Sequence, residues 1–148
     1  MLPALSDEHF MKEAFKEAER GLAEGEVPVG AIIVCDNKII ARAHNMTERL
    51  NDVTAHAEML AFTSATDFLG GKYLNECTLF VTLEPCVMCT GASYWTQLKK
   101  VVYGASDEKR GFSKHQGNLI HPKTEIVSSI LKTECSQILK DFFSKKRD

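Results

Sequence analysis

The chain has 148 residues, of which 44% are hydrophobic and 26% charged. That balance suits one domain around one core and excludes a disordered polymer. Net charge is −2, but residues 1–97 carry 7 Lys+Arg against 14 Asp+Glu while residues 98–148 carry 11 against 6, so only the C-terminal third is basic. Such a segment can meet phosphates, and it reads equally as a solvated, frayed end. The N-terminus shows no basic-then-apolar signal pattern, and no apolar run approaches the ~20 residues of a membrane span, so a cytoplasmic protein is expected.

In chain order, the first predicted element is a helix over about Asp7–Ala23. Phe10, Met11, Ala14, Phe15, Ala18 and Leu22 recur at helical spacing, with Ser6 as N-cap and Gly25 after the end. "GAIIVCDNKIIARAHN" reads as a hairpin turning at Asp36-Asn37. A polar loop leads to a second helix, about Ala55–Phe68, closed by Gly70-Gly71. "TLFVTL" is a short buried strand, and Pro85 stops it and opens a helix to about Gln97. "KVVYGA" is a further strand, residues 107–122 are irregular or partly helical, "TEIV" is a last short strand, and Ile130–Phe143 a final amphipathic helix. Strands alternating with helices after a hairpin give a mixed sheet with helices on both faces and right-handed, parallel βαβ connections.

Two short motifs carry chemistry. His56 and Glu58 open the second helix as H-A-E, and Cys86 and Cys89 open the third within E-P-C-V-M-C. Cysteines at i and i+3 share a helix face, so both sulfurs can point at one ion. Two helix N-termini then converge, and their partial positive charge favours thiolates. One imidazole and two thiolates suit Zn²⁺, one ion per subunit, with the fourth position open as in catalytic sites. Glu58, two residues from the histidine, is placed to move protons for a hydrolytic deamination at an amidine-like ring carbon. Cys86 and Cys89 alone would equally read as half of a four-cysteine structural site or as a redox pair, but a second dithiol is missing. The remaining Cys35, Cys77 and Cys135 follow no pairing pattern and read as small core residues.

H-x-E followed by P-C-x-x-C is the signature of zinc nucleobase deaminases. At these residues the sequence resembles the cytidine deaminase superfamily. Within it, "EVPVGAIIV", "HNMTERLNDVTAHAEM", "TLFVTLEPCVMCTGA", "VVYGASDEKRG", "HPKTEI" and "DFFSKKR" resemble the bacterial tRNA-specific adenosine deaminases over nearly the whole chain. The resemblance implies a three-layer α/β/α cytidine deaminase-like fold with a five-stranded mixed sheet, as a single CMP/dCMP-type zinc deaminase domain over residues 1–148. It implies a homodimer and conversion of the wobble adenosine of a tRNA anticodon stem-loop to inosine, with Glu58 shuttling protons. It places Asn45 against the flipped base, Val27, Pro28 and Val29 as an apolar wall, and the backbone of Ala57 and Cys86 near the reacting group.

"GFSKHQGNLIHP" departs from the commonest bacterial form of this family, which has small residues after the glycine. Phe142, Phe143, Lys145, Lys146 and Arg147 combine aromatics with positive charge and are candidates for contacts to phosphates and unpaired bases, the alternative being a core-facing Phe pair and a solvated end. Two other functions share much of the pattern: a deaminase of free guanine, cytosine or a nucleoside, and a non-catalytic RNA-binding partner subunit. Glu58 favours an enzyme over the second.

Overall fold

The computed structural model describes residues 5–147, with the side chain of Arg147 outside the described set. Helix α1 (Asp7–Ala23) starts at Ser6, whose Oγ accepts from the His9 N–H at 3.0 Å, with Asp7 and Glu8 in the positively polarised first turn. The hairpin follows as β1 (Gly30–Cys35) and β2 (Lys38–His44). Asp36 and Asn37 both take positive φ, 53° and 62°, the left-handed pair that a two-residue turn needs to match the twist of its strands.

Helix α2 spans Ala57–Leu69 and ends on Gly70 in the left-handed conformation. Then come β3 (Cys77–Leu83), α3 (Val87–Thr96), β4 (Lys100–Ala105), a 3-10 turn at Phe112–Lys114, β5 (Glu125–Val127) and α4 (Lys132–Arg147). The sheet order is β2-β1-β3-β4-β5. β1 is antiparallel to both neighbours, whereas β3, β4 and β5 run parallel.

Alternation along the strands divides the core between the two faces. Ile32, Val34, Phe80 and Val102 pack with Phe10, Met11 and Ala14 of α1. Ala31, Ile33, Leu79 and Val81 pack with Ala57, Ala61, Phe62 and Ala65 of α2. Helix α4 joins the two cores, with Cys135 in the α1 side and Leu139 in the α2 side. The result is the expected three-layer α/β/α arrangement of a five-stranded mixed sheet. Among the described residues no helix is long and apolar enough to cross a membrane.

Three boundaries differ from the sequence pattern. The second helix begins at Ala57, not Ala55, because His56 adopts extended backbone as its N-cap (φ −72°, ψ 151°). The third begins at Val87, after Cys86 as N-cap, so Pro85 precedes the helix without opening it. The last helix occupies Lys132–Arg147 where Ile130–Phe143 is predicted. Its start is delayed because Ser129 and Leu131 take positive φ and the Ile130 N–H reaches the Tyr103 carbonyl, tying that turn to β4. Its end is extended, so Ser144–Lys146 form helix and not a frayed tail.

Candidate active site

The two helix N-caps meet at one place. His56 Nδ1 lies 3.6 Å from Cys86 Sγ and 3.5 Å from Cys89 Sγ, and the three donor atoms all lie within 4.8 Å of one another. Extended backbone at His56 and Cys86 aims both side chains across the gap between α2 and α3, while Cys89 reaches it from the first turn of α3. One ion can bridge a triangle of this size, and two sulfurs with one imidazole form a soft donor set.

The protonation pattern follows from the crowding. A hydrogen bond from Cys89 is the largest influence on Cys86 and, with the His56 imidazole, brings its thiol down to about 4. Cys89 moves the other way, held protonated by that same bond, by burial and by the Glu58 charge. His56 is raised, first by its hydrogen bond to Cys86 and against the effect of its partial burial. Glu58, 5% exposed, is pushed up to about 7 chiefly by burial; its place in the first turn of α2 and the neighbouring imidazole oppose that.

His56, Glu58 and Cys86 form the floor of a cleft of about 940 Å³, within the size range of small-molecule sites, while Cys89 is buried and does not line it. Val27, Val29, Asn45 and Ala57 line it, whereas Pro28 is buried and does not. Asn45 Nδ2 reaches Thr47 Oγ1 at 3.4 Å, and Thr47 also faces the cleft. Ser106, Asp107, Glu108, Lys109 and Arg110 also line it, and α4 adds Lys140, Phe143 and Ser144.

The aromatic-basic end of α4 is split by this geometry. Phe143 is 46% exposed and faces the cleft, while Phe142 is buried beside it, their rings 5.2 Å apart and edge to face. Phe142, Lys145 and Lys146 instead line a second, smaller groove with Leu22, and Arg147 has its side chain outside the described set. Of the wall, Lys140, Ser144 and residues 106–110 escape a sequence reading, because their common address is set by how α4 crosses β4. The helical spacing of Lys140, Phe143 and Ser144 is the one local signal that they share a face.

A three-layer sheet with a His/Cys/Cys donor set and a buried carboxylate beside it defines a deaminase, and the model of the MafB19-like deaminases matches residues 5–147. A tRNA-specific adenosine deaminase of Bacillus subtilis (strain 168) is 46% identical over 146 residues, 95% of this chain and 91% of that protein. One from Aquifex aeolicus (strain VF5) is 43% identical over 97% of this chain and 98% of its own. A solved structure of a tRNA:A34 deaminase, an A-to-I editing enzyme of the wobble position, superposes with a TM-score of 0.83 at 39% identity, covering 88% of this chain and 99% of that one. The chain belongs to the family of tRNA-specific adenosine deaminases.

Proposed function

We propose that this protein is a single-domain enzyme that hydrolytically deaminates the wobble adenosine of a tRNA anticodon stem-loop to inosine, with one zinc ion per subunit. The observation that carries the reading is a buried carboxylate, Glu58, in the same cleft floor as His56 and Cys86, which group with Cys89 as a donor set. The donor set fits zinc, which when bound supplies a Lewis acid that activates water. His56, Cys86 and Cys89 would hold it, Cys86 being already favoured as thiolate and Cys89 giving up its proton on binding the ion. Glu58 accepts a proton from water at its carboxylate oxygen and returns one to the departing amine, because it is a buried carboxyl group beside the reacting position whose proton affinity burial has raised. Val27 and Val29 exclude water from one face of the base, and Asn45 offers amide donors and an acceptor to its edge.

A base in a continuous duplex is stacked and out of reach of a recessed cleft, while an anticodon loop presents bases that swing out at small cost. The wall residues Lys109, Arg110 and Lys140 lie outside the floor, where the flanking backbone of a loop would run. A cytoplasmic location accords with such a substrate. A homodimer accords with large apolar side chains left in solvent on the site-bearing elements: Val53 before α2, Phe68 near its end, and Val87 and Trp95 on α3.

The test is turnover of an anticodon stem-loop, the same adenosine in a duplex, and free adenosine, guanine and cytosine. Inosine should form in the stem-loop and little elsewhere. Equal activity on free adenosine would move the assignment to a small-molecule deaminase, and absence of activity with full zinc content would leave an RNA-binding subunit.

A further inference from the structure

Two more carboxylates are buried near the cleft, and neither belongs to the donor set. Glu84, 3% exposed, accepts from the Asp107 N–H at 3.1 Å with Oε1 and from the Ser113 N–H at 3.0 Å with Oε2. Glu26, with no exposed surface, accepts from the Glu48 N–H at 3.0 Å with Oε1 and from the Arg49 N–H at 2.8 Å with Oε2. In each case both oxygens of one side chain hold the backbone of a segment that has no α-helix or strand of its own.

Both segments contribute residues to the lining of the cleft and form two of its lips. The one that Glu26 holds carries Asn45 and Thr47 just before the pinned amides. The one that Glu84 holds runs through Ser106–Arg110, all facing the cleft, and is closed at both ends around the carboxylate. The Glu84 N–H bonds the Ala105 carbonyl at 2.8 Å and the Phe112 N–H bonds the Pro85 carbonyl at 2.9 Å. Gly111 lies so close that a Cβ there would collide with the Glu84 carboxyl group, so the loop wraps directly over it. Burying a carboxylate is costly unless its lone pairs are filled, and an apolar side chain would fill the same space without that penalty. What the carboxylate adds is a fixed geometry for a lip, through two charge-assisted bonds.

We propose that Glu84 and Glu26 are positioning residues for substrate binding: each buried carboxylate sets one lip of the cleft, so that Thr47 on one lip and Asp107–Arg110 on the other meet the RNA already ordered. This rests on the RNA reading above. Pre-ordering lowers the cost of binding and leaves the chemistry at the floor untouched, so its loss belongs in KM and Kd.

Glutamine is the discriminating replacement. It keeps the shape but offers one acceptor and one NH₂ group, which would face a backbone N–H and release one end of the lip. Glu84→Gln and Glu26→Gln should each raise the stem-loop KM by about tenfold, the worth of one charge-assisted bond. Turnover at saturation and zinc content should stay close to the parent values. The same rise should appear in the Kd for stem-loop RNA when each is combined with Glu58→Ala, which makes the reading independent of turnover. Hydrogen exchange should quicken at Asp107 and Ser113 in Glu84→Gln and at Glu48 and Arg49 in Glu26→Gln, each without the other. Gly111→Ala, displacing the carboxylate from the opposite side, should reproduce the Glu84→Gln split. Unchanged Kd, or loss of saturated turnover together with zinc and fold, would overturn the proposal. Failure of the parent protein to deaminate the stem-loop would sink the catalytic reading instead, while the Kd and exchange comparisons would still decide the lips.

Discussion

Glu58 and Glu84 are both buried glutamates of one cleft, yet they have opposite tasks because their partners differ. Glu84 has each oxygen bonded to a backbone N–H of the segment it holds, at Asp107 and Ser113. Glu58 stands beside His56 and Cys86 in the cleft floor, with its carboxyl group pushed toward neutrality by burial. Glu58→Ala should therefore retain zinc and RNA affinity while single-turnover deamination falls by at least ~10²–10⁴-fold, the usual contribution of a general acid–base group. Metal analysis and a binding titration on the same preparation check that the loss is chemical. Near-normal single-turnover rates would remove Glu58 from the proton path. At this scale the donor set was legible in the sequence because the ligand spacing is local: two residues from His56 to Glu58, three from Cys86 to Cys89. The clamps were not legible. Glu26 and Glu84 find their partners 22 to 29 residues away, and a lone glutamate carries no mark of the amide it will meet.

Elements bring these residues together, and the closest fit among them is between α1 and β1. A Cβ on Gly30 would run into the Ala14 carbonyl and the Ala18 amide of α1, both backbone groups with no rotamer to yield. Gly30→Ala should therefore push the helix off the sheet and cost about 1–3 kcal/mol, in the range of overpacked cores. Urea unfolding reads that loss directly. Because Val29, the next residue toward the N-terminus, lines the cleft, the stem-loop KM should rise as well. A variant as stable as the parent would mean that α1 seats more loosely than its contacts indicate. The order and type of the elements followed from period and punctuation: Ser6 capping α1, Asp36-Asn37 turning the hairpin, Gly70 ending α2. The ends that differ are those that the apolar pattern does not decide. Ile130 looks helical by pattern but is drawn into a turn by its bond to Tyr103 of β4, and the helix runs on past Phe143 to Arg147 through residues that carry no apolar period.

The whole molecule presents two kinds of surface that are absent from any single element. Val53 at 85% and Trp95 at 78% exposure are apolar side chains beside the segments that carry the ligands. If a second copy covers them, sedimentation should give a dimer for the parent protein and a monomer-shifted distribution for Trp95→Ser with Val53→Ser. A parent that sediments as a monomer at micromolar concentration would remove the dimer. The second surface is electrostatic. The basic balance of residues 98–148 is not spread evenly: Lys109, Arg110 and Lys140 stand in the cleft wall, and Lys145 and Lys146 lie exposed on α4 just beyond Phe143 and Ser144. A helix rises ~1.5 Å per residue, so these last lysines extend the wall by only about one turn. Because they lie on a separate groove, they suit the RNA backbone flanking the flipped base and not the base itself. Each phosphate contact made to a single strand contributes about −0.7 to the slope of log affinity against log salt. Replacing Lys145, Lys146 and Arg147 with alanine should then flatten that slope by about 2 if all three meet phosphates, and raise the stem-loop KM at physiological salt. Zinc content and saturated turnover should not change, since neither Lys145 nor Lys146 lines the cleft. An unaltered slope would mean that the end of α4 is a solvated helix terminus and that the phosphate contacts lie with Lys109, Arg110 and Lys140.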